Sequence, residues 1–254
     1  MRNSASGSLP CRPPRLHKND KVGSRAIKNK VLAVVQSQDL DQSIEELQAV
    51  AAKDAVNALF SLICRDDPLL RWRAVTCMGL SVARLAEADM EEARIIMRRF
   101  LWSLNDESGG IGWGAPESMA EVMCHHAGLA EEYVHMLISY MREDGDELCQ
   151  DGNYIEHPLL QRGLLWGVAR LSECRPELLR ERGATGDIPP YLDAADAEVR
   201  GLATLACGRL AIAAGKPRLQ RLTSDAASFH LYRDDKLITL SVADMARLAL
   251  EGMP

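Results

Sequence analysis

Asp67-Pro-Leu-Leu-Arg-Trp-Arg-Ala-Val-Thr-Cys-Met-Gly79 is the stretch on which the fold turns, because it returns. His157-Pro-Leu-Leu-Gln-Arg-Gly-Leu-Leu-Trp-Gly-Val-Ala169 repeats its opening, and Asp196-Ala-Glu-Val-Arg-Gly-Leu-Ala-Thr-Leu-Ala-Cys-Gly208 repeats its end. Asp234-Asp-Lys-Leu-Ile-Thr-Leu-Ser-Val-Ala-Asp-Met-Ala246 is a weaker fourth copy. Laid over one another without gaps, they bring Gly79, Ala169, Gly208 and Ala246 together. Leu70, Leu160, Val199 and Leu237 also align. The starts are 90, 39 and 38 residues apart, so the long gap holds two units, and Ala115-Pro116 stands where the hidden one should begin.

Each copy reads as a helix start. Asp67, Asp196 and Asp234 suit an N-cap, and Pro68 and Pro158 suit a first helical turn. Small residues one helix length on allow close helix approach. A lone helix pair cannot bury its apolar face, so stacked neighbours must do so. The apolar spacing predicts helix pairs at 42–51 with 54–64, 68–85 with 89–104, 116–127 with 130–142, 158–172 with 176–182, and 196–213 with 217–223, then a last helix over 235–250. Only 12 of 254 residues are aromatic, and Ala and Leu abound, which also favours helix. The expected fold is an all-α, α-α superhelix of about five to six pairs over 25–254. Ahead of it, residues 1–24 are basic and rich in Ser, Pro and Gly, and read as a disordered arm.

This pattern resembles HEAT repeats, particularly the short variety of phycobilisome lyases, over about residues 40–250. Arg71 and Arg200 match that signature's arginine, whereas Gln161 and Ile238 depart from it. The wording of 103–117 and 152–167 also looks like an uncharacterised bacterial HEAT-repeat family of anaerobic sulfate and metal reducers. The resemblance implies a solenoid and supplies no activity.

Charge is uneven. Residues 1–30 hold eight basic side chains against one acid, Asp20, and the remaining 22 basic and 35 acidic residues leave the body at −13. So acidic a body repels a phosphate backbone and argues against nucleic acid. The basic arm, or a patch of Arg71, Arg73, Arg94, Arg98 and Arg99, keeps nucleic-acid binding as a third reading, the patch with some similarity to HEAT-like DNA glycosylases. The seven cysteines are odd in number and without a Cys-x-x-Cys pair, which suits a reducing cytoplasm. The basic start without an apolar h-region leads to the expectation of no secretory signal, and no apolar run reaches membrane-spanning length.

One stretch breaks the repeat: Ser103-Leu-Asn-Asp-Glu-Ser-Gly-Gly-Ile-Gly-Trp-Gly-Ala-Pro-Glu117, with four glycines in six residues and an exposed-looking Trp113. It lacks a P-loop pattern. As a long loop it is a candidate contact surface. The leading reading is therefore a cytoplasmic scaffold that binds a protein partner through its concave face and the glycine-rich loop 105–117. Its contact residues would be Asn105, Asp106, Glu107, Gly109, Gly110, Trp113, Glu117, Tyr154, Arg162 and Trp166. Trp72, between two arginines, is expected near the surface, and Trp102 in a packing stripe with Phe100 and Leu104.

The alternative is a metal-binding or enzymatic protein. Glu117, Glu121 and His125 fall on one helix face, and Glu156 and His157 come one repeat later. Carboxylates with imidazole form a ligand set for iron, manganese or zinc. Deoxyhypusine hydroxylase, a HEAT-repeat enzyme, holds an iron pair through His-Glu dipeptides, and this chain has none. The plainer reading of these acids is a solvated face, with no cofactor. A Cys-His nucleophile at Cys124, Cys149 or Cys174 has no local signature in its favour.

Overall fold

The computed structural model describes residues 23–36, 39–105, 112–143, 145 and 152–253. The arm expected over residues 1–24 lies almost wholly outside them, as do Asp106, Glu107, Gly109 and Gly110 of the glycine-rich loop.

The helices come in the order the repeats predict. They are α1 (Ser24–Val35), α2 (Leu40–Gln48), α3 (Ala52–Leu59), α4 (Pro68–Ala88), α5 (Met90–Leu104), α6 (Ala115–His125), α7 (Ala127–Ser139), α8 (Pro158–Cys174), α9 (Pro176–Glu181), α10 (Ala184–Asp187), α11 (Ala197–Arg209) and α12 (Lys216–Leu222). A hairpin of β1 (Ser228–Arg233) and β2 (Lys236–Ser241) precedes α13 (Val242–Glu251). The starts follow local chemistry. Asp67 accepts from the Leu70 amide, and Asp196 accepts from the amides of Glu198 and Val199. The hidden repeat does begin at Ala115.

Helices α4, α6, α8, α11 and α13 pack side by side as an inner row, with α5, α7 and α12 among the helices behind them. The aligned small residues are where the inner row closes. A Cβ on Gly79 would lie 2.6 Å from the Glu121 Cβ, and one on Gly208 would lie 2.8 Å from the Ala249 Cβ. Larger side chains there would hold the helices apart.

The last unit departs from the expectation. Residues 236–241 form a strand and Asp234 caps no helix. Asp234 and Asp235 have φ of 49° and 58°, and Arg233 pairs with Lys236, so the two aspartates are the two-residue loop of an antiparallel hairpin. Aspartate tolerates this left-handed backbone better than most residues do. Phe229 and Tyr232 on one strand, with Ile238 and Thr239 on the other, supply the aromatic and β-branched content a ribbon needs.

The cysteines also differ from the expectation that they stand apart. Cys124, at the end of α6, is disulfide-bonded to Cys174, at the end of α8. That pair removes the cysteine argument for a reducing compartment, and it removes Cys124 and Cys174 as free nucleophiles. Cys149 lies outside the described residues. Among the described residues no helix is long and apolar enough to cross a membrane.

Candidate functional site

The hairpin lies across the inner row, so the concave face is not the open groove the sequence suggested. Its tip is clamped to α4. Arg73, only 8% exposed, donates from Nε and Nη2 to the two carboxylate oxygens of Asp235, each at 2.7 Å. The Tyr232 ring stacks on Trp72 at 5.2 Å and 5° between planes, and Trp72 meets Trp166 at 4.5 Å. The Trp166 indole N–H points to the Tyr232 carbonyl at 3.4 Å. Near the base, Phe229 fills the space over Gly201, where a Cβ would sit 2.3 Å from its ring.

Crossing in this way, the hairpin divides the inner face into two chambers. One, of about 430 Å³, lies over the first turns of the inner helices. Arg71 and Trp72 of α4 line it, with Trp113 and Glu117 at the start of α6, Leu159, Arg162 and Gly163 of α8, and Glu198 of α11. His230, Leu237 and Thr239 of the hairpin form its far wall. The other, of about 270 Å³, lies over the last turns and holds Glu121, His125, Arg170, Glu173 and Arg209.

The two chambers differ in how their charges are met. In the second, Arg170 Nε donates to Glu121 Oε1 at 2.9 Å, and His125 Nε2 lies 3.2 Å from Glu121 Oε2. Burial raises the Glu121 pKa, but His125 and Arg170 more than offset it, and the carboxyl stays below its usual range. Arg209 lies 3.1 Å from Glu173.

In the first chamber, Glu117 is 7% exposed and its Oε2 has no hydrogen-bond partner among the described residues. The Trp113 indole N–H is buried without a partner as well. The Glu117 carboxyl occupies room that only a glycine leaves, since a Cβ on Gly163 would lie 2.6 Å from it. Burial pushes its pKa from 4.5 to about 7, and the Glu198 charge adds to the rise, while its own backbone N–H and Arg71 act against it. Burial also raises Glu198, with Asp196 adding and Arg162, His230 and Arg71 opposing. Arg162 is committed to Asp196 through Nε at 3.0 Å and Nη2 at 2.6 Å, and stands 3.9 Å from Glu198. The Arg71 guanidinium lies 5.6 Å from the centre of the Trp72 ring and makes no ion pair with a carboxylate among the described residues.

The raised carboxyl makes stability depend on pH. Between about 4.5 and about 7 the folded chain keeps a proton on Glu117 that the unfolded chain has lost. Stability is therefore present below that window, falls through it as pH rises, and stays lost above it, by about 3 kcal/mol. Glu117→Gln, which cannot ionise, is expected to flatten this fall and to be more stable than the wild type at pH 8. Urea midpoints at pH 5 and pH 8 measure it, and parallel pH curves for the two chains would contradict the assignment.

Of the residues expected to contact a partner, Trp113, Glu117 and Arg162 meet in the first chamber. Trp113 is half-buried rather than exposed. Trp166 lies beneath the hairpin, Asn105 accepts from the Tyr140 hydroxyl, and Tyr154 opens onto a separate cavity beside Tyr191. Glu117 and Glu121 are buried, at 7% and 4% exposed, so they form no solvated face. The hairpin puts Glu117 in one chamber and Glu121 with His125 in the other, while Glu156 and His157 are exposed at the start of α8. No three His, Cys, Asp or Glu among the described residues form a group able to hold a metal ion. Trp72 is buried and Trp102 is 66% exposed, the reverse of their expected places. The arginine patch is broken up: Arg73 binds Asp235, Arg94 binds Glu132, Arg98 binds Glu91, and Arg99 sits over the Phe60 ring.

Sequence reading missed Glu198, His230, Leu237 and Thr239 in the chamber. The hairpin brings the last three there, and its signal was the Asp-Asp pair between two aromatic and β-branched runs.

An inner row of parallel helices with a second row behind it defines a helical repeat solenoid. Solved structures agree at the level of fold. An engineered protein known from its crystal structure matches with a TM-score of 0.57 at 14% identity, covering 93% of each chain. A designed armadillo repeat protein matches at 0.51 and 16% identity, over 92% of this chain and 96% of that one. No protein-family model matches the sequence, and no curated protein matches it.

Proposed function

We propose that the protein is a HEAT-like scaffold that binds a protein partner at the first chamber of its inner face. One observation carries this reading: the Glu117 and Trp113 side chains, each with a buried polar atom that has no hydrogen-bond partner among the described residues, border the same cavity. Buried polar groups in native chains are nearly always satisfied, and leaving one unsatisfied costs about 1–3 kcal/mol. A partner that meets both groups recovers that cost on binding. The hairpin restricts where contact is made. It fills the middle of the concave face, so a partner reaches the rim over the first helical turns rather than running the length of the groove. Trp113, Gly114 and Glu117, described residues of the stretch 105–117, border that rim.

A photocrosslinking amino acid at Leu159, which is exposed at the chamber mouth, tests this against the same residue at Ile95, which is exposed on α5. In the native cell, a discrete protein adduct is expected from position 159 and not from position 95. Adducts that are equal at both positions, or absent at 159, would set the reading aside.

A further inference from the structure

The chamber's chemistry also indicates which side chain it takes, an inference that rests on reading it as the partner-contact site. We propose that it seats a lysine of the partner, with the ammonium against Glu117 and Glu198 and a main-chain carbonyl on the Trp113 indole N–H.

The two unmet groups have opposite needs. Above about pH 7, where the Glu117 carboxyl is ionised, its Oε2 only accepts, and Trp113 Nε1 only donates. A peptide with a cationic side chain brings a donor for one and a carbonyl for the other. A free amine serves only the carboxyl. An anion could serve only the indole, and it would add a third negative charge beside Glu117 and Glu198.

The cations already in place leave that carboxyl open. Arg162 spends two hydrogen bonds on Asp196. Arg71 lies over Trp72 rather than on a carboxylate. On the hairpin wall, the His230 ring is within hydrogen-bond distance of the Thr239 hydroxyl, at 3.3 Å. Burial and like charge hold Glu117 and Glu198 above their ordinary range even so, and an added positive charge would relieve both.

The walls suit a lysine stem. Trp72, Leu159 and Leu237 give an apolar lining for methylenes on the way to the carboxyls. In the second chamber Glu121 Oε2 also lacks a hydrogen-bond partner among the described residues, but it faces His125, with Nε2 at 3.2 Å, while Glu121 Oε1 and Glu173 are held by arginines.

The test uses the full chain labelled with ¹⁵N and ¹³C, held at pH 8, where the Glu117 carboxyl is ionised. It is titrated with acetyl-Gly-Lys-Gly-amide, with the same peptide carrying norleucine or glutamate in place of lysine, and with butylamine. The readouts are the Trp113 indole N–H signal and the Glu117 side-chain carboxyl shift. The lysine peptide is expected to move both, the norleucine peptide to bind about tenfold more weakly, and butylamine to move Glu117 alone. Glu117→Gln should bind the lysine peptide about tenfold more weakly while its other signals stay in place.

Equal binding of the norleucine peptide would overturn the proposal in favour of an apolar slot. Strongest binding of the glutamate peptide would overturn it in favour of Arg71 as an anion anchor. In both cases the chamber would still be a peptide site. Butylamine matching the lysine peptide on both signals would make it a free-amine site, and silence from every peptide would sink the partner-contact reading as well.

Discussion

Replacing Trp72 with alanine is expected to cost about 3–5 kcal/mol of stability, the usual range for emptying a buried tryptophan site. Trp72 is 6% exposed, meets Trp166 on one side and stacks with Tyr232 on the other. Its loss leaves a void and also removes the surface on which the hairpin tip rests. The Arg73–Asp235 pair would then have to hold that tip without the stack beside it. Trp102→Ala is the matched control, since that ring is 66% exposed and its removal should change stability by less than about 0.5 kcal/mol. Denaturant midpoints of the two variants decide the matter, and a costly Trp102 with a neutral Trp72 would invert the inner and outer faces assigned to α4 and α5.

The second large effect is the disulfide. Cys124 and Cys174 are separated by 50 residues, and chain-entropy bookkeeping gives about 4 kcal/mol for closing a loop of that size. Cys174→Ser should therefore unfold at clearly lower denaturant than the oxidised wild type. A reducing agent should bring the wild type down to the level of the variant. A wild-type midpoint that does not respond to the reductant would mean the thiols stay apart.

The fold was legible because it repeats. Asp67, His157 and Asp196 each precede a helix of the inner row, and Gly79 and Gly208 mark close contacts in it, as the alignment requires. The same alignment concealed the hairpin. Asp234 aligned with the N-caps, and Leu237 with Leu70 and Val199, so a turn and a strand were read as another helix start. Apolar residues at positions 237, 238 and 240 fit either period over so short a run.

The site was legible only in part, for a related reason. Trp113, Glu117 and Arg162 stood out as residues that interrupt or flank repeats. Glu198 and His230 did not, because Glu198 reads as an ordinary first-turn acid of a helix and His230 reaches the chamber only through residues 228–233 forming a strand laid on the inner helices. The tryptophans were misplaced on local context. Arginines on both sides of Trp72 look like a surface, yet one of them, Arg73, is buried against a carboxylate 162 residues away.

That long reach has a consequence for how the chain comes apart. In an ordinary repeat array each unit touches only its neighbours, so the ends fray first and stability grows roughly by addition along the stack. Here the tip of the hairpin ties the far end of the array back to α4. The units between them cannot open one at a time without breaking that tie. The array behaves as a closed ring of contacts, and closing it requires a large excursion of chain before the tie rewards it. Assembly should be correspondingly slow for a helical protein, and unfolding should be concerted where a linear array would peel.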